Sequence, residues 1–415
     1  MEAMHKHARE MITRAIEENL PGAAVENALK KHSFTGNIYL LAIGKAAWAM
    51  AKAAAGFLGD TVKKGIVITK YGHSGGDIPR MEIIEAGHPI SDENTLVGTQ
   101  KAIEMAAALG KGDELLFLVS GGGSALFESP MEGVTLADIA DINGQLLASG
   151  ANIVEINTVR KRLSRVKAGR FAALCSPARV FAVVLSDVVG DRLDSIASGP
   201  AAPDSSTAEE ALAVAEKYNL RLSDVVRKYI AVETPKQITN VETVITGSVR
   251  TLCSSTARAA AERGYTPYVL SATLSCEAAE AGKMMACMAQ QAGQSADSPQ
   301  RPCAIIMGGE TVVHLKGKGM GGRNQEMALA AAVLLDGMEN VLFYSLGSDG
   351  TDGPTNAAGG IVDGGTMEKL RIKGVNAEAA LAENDSYYAL QAADALIVTG
   401  PTGTNVNDVS VILCK

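Results

Sequence analysis

The sequence predicts an α/β protein of two domains, and three observations predict it. At 415 residues the chain is too long for one hydrophobic core, so two domains with a cleft between them are expected. Short apolar runs alternate with helical patterns from end to end, which is how a parallel sheet covered on both faces is written. The polar residues that stand out sit just past the ends of apolar runs, where open parallel sheets bind ligands.

Residues 1–31 read as helices interrupted at Pro21-Gly22. Asn37–Ile43 (NIYLLAI) is the first strand, closed by Gly44-Lys45 and followed by an Ala-rich helix. GIVITK (65–70) and MEIIEA (81–86) are further strands, and a helix from Ser91-Asp92 to Leu109 leads to ELLFLVS (114–120), which runs into Gly121-Gly122-Gly123-Ser124. Two helices follow, the second spanning Asn152–Cys175 and carrying Arg160, Lys161, Arg162, Arg165, Lys167 and Arg170. RVFAVVLS (179–186) ends in Asp187 and Asp191, and helices occupy 207–232. A polar segment around Pro235 is the expected boundary, dividing 1–235 from 236–415. Beyond it the same grammar returns in VETVITGS (241–248), TPYVLSA (266–272), CAIIMGG (303–309), TVVHL (311–315), VLFYSLGS (341–348), ALIVTG (395–400) and the closing DVSVILC, with 293–302 as a turn-rich loop.

Hydrophobic residues at 47% and charged residues at 20% describe an ordinary soluble enzyme. A net charge of -8, a single Trp and the absence of a long Lys/Arg run argue against nucleic acid as the main partner. No apolar run approaches the roughly 18 residues of a membrane span, and the N-terminal segment reads as a charged amphipathic helix rather than a signal peptide. The six cysteines are scattered without a Cys-x-x-Cys pair, which suits buried thiols in a reducing cytoplasm. His5 and His7 read as solvent-facing residues rather than metal ligands.

Gly121–Gly123 can bring backbone N–H groups against phosphate oxygens, because no Cβ blocks the approach; a tight turn before a helix is the plainer alternative. Ser124 lacks the G-x-S-x-G context of a hydrolase nucleophile. Lys45 at a helix start could neutralise a phosphate. Asp187 and Asp191, four apart around Gly190, could face one magnesium ion, or one could act as a base; a capped turn would use the same residues. Gly347–Pro354 (GSDGTDGP) is denser in acids than a turn requires and makes Asp349 and Asp352 candidates for an acid, base or cation ligand. Between Gly308 and Glu326 the run GGETVVHLKGKGMGGRNQE formally contains G-x-G-x-x-G from Gly317 to Gly322. A dinucleotide fold would follow it with an apolar helical turn. Here Arg323-Asn324-Gln325-Glu326 comes instead and suits carboxylate or phosphate recognition.

In order, LLAIGKAAWAM, EAGHPISDENT, LVSGGGSAL, SDVVGDRLDSIASGP, GGETVVHLKGKGMGGRNQEMAL, GSDGTDGPTNAAGG and TGPTGTNVNDV resemble the glycerate 2-kinases whose C-terminal part is called the MOFRL domain, the class II glycerate kinases. The resemblance covers nearly the whole chain. It implies two three-layer α/β/α domains, an N-terminal Rossmann-like one with a parallel sheet and a smaller C-terminal one with a mixed sheet, with the active site between them. It implies ATP-dependent phosphorylation of D-glycerate at the C2 hydroxyl, giving 2-phosphoglycerate and ADP, with Mg2+ as cofactor. Lys45 and Arg323 match the family's essential cations and Asp187 its acid, so these three are the expected catalytic residues. Ser120, Gly121, Gly122, Gly123, Ser124, Glu310, Asn324, Asp349 and Asp352 are expected to bind substrate or ATP, and Asp187 and Asp191 the metal.

Which aspartate is the base stays open at this stage, as does whether Arg323 serves the transferring phosphoryl group or the glycerate carboxylate. Oligomeric state is also open, a homodimer among the options. An NAD(P)H-dependent hydroxypyruvate reductase, a label some relatives carry, is the enzymatic alternative, and a binding module without turnover the non-enzymatic one.

Overall fold

In the computed structural model, which describes residues 1–415, the chain separates into two compact units, Pro21–Thr246 and Met1–Leu20 with Gly247–Lys415. The first holds strands β1 (Asn37–Ile43), β2 (Val62–Lys70), β3 (Met81–Ala86), β4 (Asp113–Val119), β5 (Arg179–Leu185) and β6 (Val241–Gly247), in the order β3-β2-β1-β4-β5-β6. β1 to β5 pair in parallel. The central strands are continuous apolar runs, buried along nearly their whole length because helices cover both faces, whereas the edge strand β3 (MEIIEA) is only half-buried and can carry Glu82 and Glu85. This is the doubly wound order, whose direction reverses between β1 and β4. The register sets Ile43 opposite Val119, so Gly44-Lys45 and Ser120–Ser124 emerge side by side at that reversal.

The second unit is built on β7 (Thr266–Leu274), β8 (Cys303–Gly309), β9 (Val341–Gly347), β10 (Gly359–Asp363), β11 (Leu396–Ile397) and β12 (Asp408–Cys414), ordered β11-β10-β9-β12-β8-β7. Its sheet is mixed, as expected: β7 and β8 are parallel, while β12 runs antiparallel to β8 and β9, and β10 to β9. The helix Arg323–Leu335 is buried on nearly every side, which explains its Ala- and Leu-rich sequence.

Four expectations change. VETVITG extends the first sheet beyond β5 instead of opening the second, so the division falls after it and not near Pro235. The helix Glu2–Glu18 belongs with the second unit, where it buries Met4, Ala8, Met11, Ile12 and Ala15; His5 bonds Asp363 (2.7 Å) and His7 bonds Tyr265 (3.2 Å), so neither merely faces solvent. TVVHL is irregular apart from one bridge between Val312 and Glu277, and the missed strand is β10, hidden by its two glycines. The helix expected over Asn152–Cys175 breaks into Ile153–Arg160, a 3-10 turn at Lys161–Leu163 and Arg170–Leu174. Arg170 donates to the carbonyls of Lys161 and Ser164 exposed by that break, and Ala168 and Gly169 take left-handed backbone there. All six cysteines are free thiols, four of them buried and Cys276 and Cys287 exposed. No helix is long and apolar enough to cross a membrane.

Candidate functional site

In the unit of residues 21–246, the loop after β4 is held from beneath by Ser120. Its buried hydroxyl donates to Ile43 O (3.1 Å) and accepts from Ala46 N (3.1 Å), so Ser120 is spent on joining the β1 and β4 turns. Lys45 N donates to Gly121 O (2.8 Å), drawing Lys45 alongside the glycines. Gly121 and Gly122 have to be glycine. A Cβ on Gly121 would lie 2.2 Å from Asp187 Oδ2, and one on Gly122, at φ +83°, would press on His88 (3.0 Å) and Lys45 Cγ (3.2 Å). The loop therefore threads between Lys45 and His88 on one side and Asp187 on the other, and neither the Gly121 nor the Gly122 N–H is used in a backbone hydrogen bond. Gly123 rests on Ala197, and Ser124 Oγ meets Ser198 Oγ at 2.9 Å.

Asp187 and Asp191 are half-buried around Gly190, Asp191 in left-handed backbone with its N–H donating to Val188 O (3.0 Å). No group of three or more His, Cys, Asp or Glu is placed to hold a metal ion. His88 was not singled out by residue type; its signal was the EAGHPISD run just past β3. Burial, with the positive charges of Lys45, Lys70 and His73, holds His88 below its ordinary pKa. A concavity of about 510 Å³ in this unit, lined by Glu155, Asn157, Lys161 and Asp194 among others, does not include the glycine loop.

In the other unit, Arg323 opens its helix and is clamped. Its Nε and NH2 donate to Asp408 (2.6 and 3.0 Å) and its NH1 to Glu310 (2.9 Å), while Asn407 also donates to Glu310 (3.2 Å). Burial works to lower the Arg323 pKa, but the Asp408 hydrogen bond and the charges of Asp408, Glu310 and Asp352 raise it overall. Asp408 is pushed up to about 6 by burial, with the charge of Asp352 adding to it and the bidentate arginine opposing. Asp408 was missed because it lies in the closing strand, which reads only as core.

Asp352 is buried with its carboxylate facing the start of the Arg323–Leu335 helix, accepting from Asn324 N (3.1 Å), Gln325 N (2.8 Å) and Gln325 Nε2 (2.9 Å). Asn324 is buried as well, between Asp352 and Ser345. Two of the donors that an incoming anion would use at this helix start, the Asn324 and Gln325 N–H groups, are thus already paired. Asp349 closes a turn onto Thr351 N (2.9 Å) and keeps partial exposure. The glycines of this stretch meet their own chain: Cβ atoms at Gly317, Gly319 and Gly322 of the formal G-x-G-x-x-G, and at Gly321 between them, would strike Glu383, Asp385, Asp352 and Ser386 respectively within 2.5 Å. They are small to let 383–386 and the 347–354 loop pack, not to admit a pyrophosphate.

The chain matches two family models, one described as a domain of unknown function (DUF4147) over residues 7–231 and the other as the MOFRL family over 303–408. It is 52% identical over 410 residues to a D-glycerate 2-kinase of Thermotoga maritima, covering 99% of this chain and 98% of that protein. A protein of Agrobacterium vitis named putative hydroxypyruvate reductase is 39% identical over 388 residues, covering 91% of this chain and 99% of that one. Among solved structures, the crystal structure of a glycerate kinase from Thermotoga maritima matches with a TM-score of 0.97 at 51% identity, covering 100% of both chains.

Proposed function

We infer the reaction from one premise: this chain belongs to the glycerate 2-kinase family. It is a phosphotransferase with an alcohol acceptor, moving the γ-phosphoryl group of ATP to the C2 hydroxyl of D-glycerate. The observation that carries the reading is the glycine loop passing between Lys45 and Asp187, with neither the Gly121 nor the Gly122 N–H in a backbone hydrogen bond, at the reversal point of a doubly wound sheet.

Phosphoryl transfer asks a protein for position and charge neutralisation more than for covalent chemistry. The Gly121–Gly123 backbone and the Lys45 ammonium hold the ATP phosphates. Asp187, against that loop, orients the C2 hydroxyl and accepts its proton as the new O–P bond forms. Magnesium, when bound with the nucleotide, neutralises phosphate charge, and the hard oxygens of Asp187 and Asp191 fit it. Arg323, its planar fork fixed by Asp408 and Glu310, supplies charge stabilisation to the transferring group. Ser120, Asn324 and Asp352 act as framework, since their polar atoms are spent within the chain.

The full chain mixed with D-glycerate and Mg-ATP is expected to release ADP, and its product to yield phosphoenolpyruvate with enolase and no mutase. ADP release without phosphoenolpyruvate would place the phosphoryl group on C3. Oxidation of NADH by hydroxypyruvate without ADP release from glycerate would overturn the kinase reading. Lys45→Ala and Arg323→Ala are expected to lower kcat by about 100- to 1000-fold each, the range seen when one charge-stabilising donor is removed.

A further inference from the structure

The segment Arg160–Arg170 buries an unusual number of cations, and all but one are accounted for. Lys161 and Arg162 lie against Asp204, Lys167 bonds Glu128 (3.1 Å) and the carbonyls of Ser124 and Phe127, and Arg170 has its two backbone carbonyls. Arg160 makes no ion pair. Its NH2 donates to Asn157 Oδ1 (2.7 Å) and Ser198 Oγ (2.8 Å), its Nε is buried with no partner, and its nearest compensating charge, Glu128, already belongs to Lys167. Two buried cations thus share one carboxylate, an arrangement costly to keep unless an anion completes it.

The surroundings indicate where that anion comes from. Ser198, which receives the Arg160 hydrogen bond, sits 2.9 Å from Ser124 at the end of the glycine loop. Ala197 and Ser198 are both held in left-handed backbone (φ 50° and 61°), a conformation that costs a residue with a Cβ free energy and gathers at ligand sites. Arg160 is nevertheless only half-buried as a residue, so part of it faces solvent. One uncompensated guanidinium matches a single negative charge better than a polyphosphate.

We propose that Arg160, positioned by Asn157 and Ser198, binds the carboxylate of the hydroxy-acid substrate, with the Ser124 hydroxyl beside it. This rests on the kinase reading above. The test uses the full chain. Wild-type protein must first release ADP with D-glycerate and Mg-ATP; failure there removes the kinase reading and not the role of Arg160 specifically. In Arg160→Gln the KM for glycerate is expected to rise about 10- to 100-fold, the worth of a charged hydrogen bond, with the KM for ATP within about two-fold of wild type. Competitive inhibition by 3-hydroxypropionate, which keeps the carboxylate, should weaken by the same factor, and inhibition by 1,3-propanediol, which lacks it, should not change.

A raised KM for ATP with that for glycerate unchanged would make Arg160 a phosphate contact and overturn the proposal. So would a folded variant with both KM values unchanged, or one in which both inhibitors weaken equally. Should Arg160→Gln not fold, Arg160→Lys carries the same comparison: retaining charge at shorter reach, it is expected to show the same selective loss at smaller size, and equal weakening of both inhibitors would again refute the assignment.

Discussion

Asp194 shows how much a single side chain in this fold is asked to do. It accepts from Arg192 (2.9 Å) and Ser205 (2.8 Å) and lies 3.5 Å from Lys161, tying the 192–199 turn to the helix that carries Arg160. Burial alone would raise its pKa, but the Arg192 and Ser205 hydrogen bonds and the Lys161 and Arg192 charges bring it down from 3.8 to about 2. A carboxyl depressed by folding contributes stability that is present above its unfolded pKa and is lost as pH falls toward the folded one. The window here is therefore from about 4 down to 2. Asp194→Asn is expected to lower stability near neutrality by about 1–2 kcal/mol. Urea midpoints of the two proteins should differ at pH 6 and converge near pH 2; a gap that persists in acid would sink the explanation. Lys45 and Asp187 stand out in the sequence as candidates because each lies two residues past the end of an apolar strand. Asp194, Arg160 and Asp408 do not, since only the folded chain shows which charges go without a counter-ion and which are shared.

At the scale of elements, the helix Arg323–Leu335 depends on Asp352 from a different loop. That carboxylate pairs the N–H groups which every helix start leaves open, a capping role filled here from 28 positions away in sequence. Asp352→Ala would leave buried donors unpaired and should cost about 2–4 kcal/mol, whereas Asp352→Asn, still an acceptor, should cost less. Thermal unfolding of the two variants checks the order, and equal midpoints would contradict it. The glycine-rich approach to this helix teaches the same lesson. Its spacing satisfied a dinucleotide pattern, yet the space a Cβ would take is occupied by Glu383–Ser386. Strands such as β1, β4 and β8 were plain in the sequence because burial on both faces demands unbroken apolar runs. β10 was not, because its first two residues are glycines. The Asn152–Cys175 helix breaks where Arg170 donates to the Lys161 and Ser164 carbonyls, a contact that no residue-type pattern announces.

For the whole molecule, the consequential finding is that the first 20 residues fold with the last 169, onto the helix Val249–Glu262, through Met4, Met11 and Ile12 in the core and polar contacts such as Asn19 to Ser255 (3.2 Å). Deleting residues 1–20 removes five buried apolar side chains and is expected to cost on the order of 5 kcal/mol. Hydrogen exchange should rise in Val249–Glu262 and its neighbouring strands; protection equal to that of the full chain would show that the segment is dispensable.

By itself the sequence determined the α/β class, the strands of each central sheet, the loops that carry charge and the family to which the chain belongs. These depend on local pattern: hydrophobic period, glycine at strand ends, and motifs whose order survives without knowing what touches what. The tertiary structure alone decided that β6 closes the first sheet, that the N-terminal helix belongs with the second unit, that Asp352 and Asn324 are buried and hydrogen-bonded to one another, and that Arg160 stands without a carboxylate. Strand partners, charge balance and cavity filling are sums over residues distant in the chain, and local pattern does not contain them.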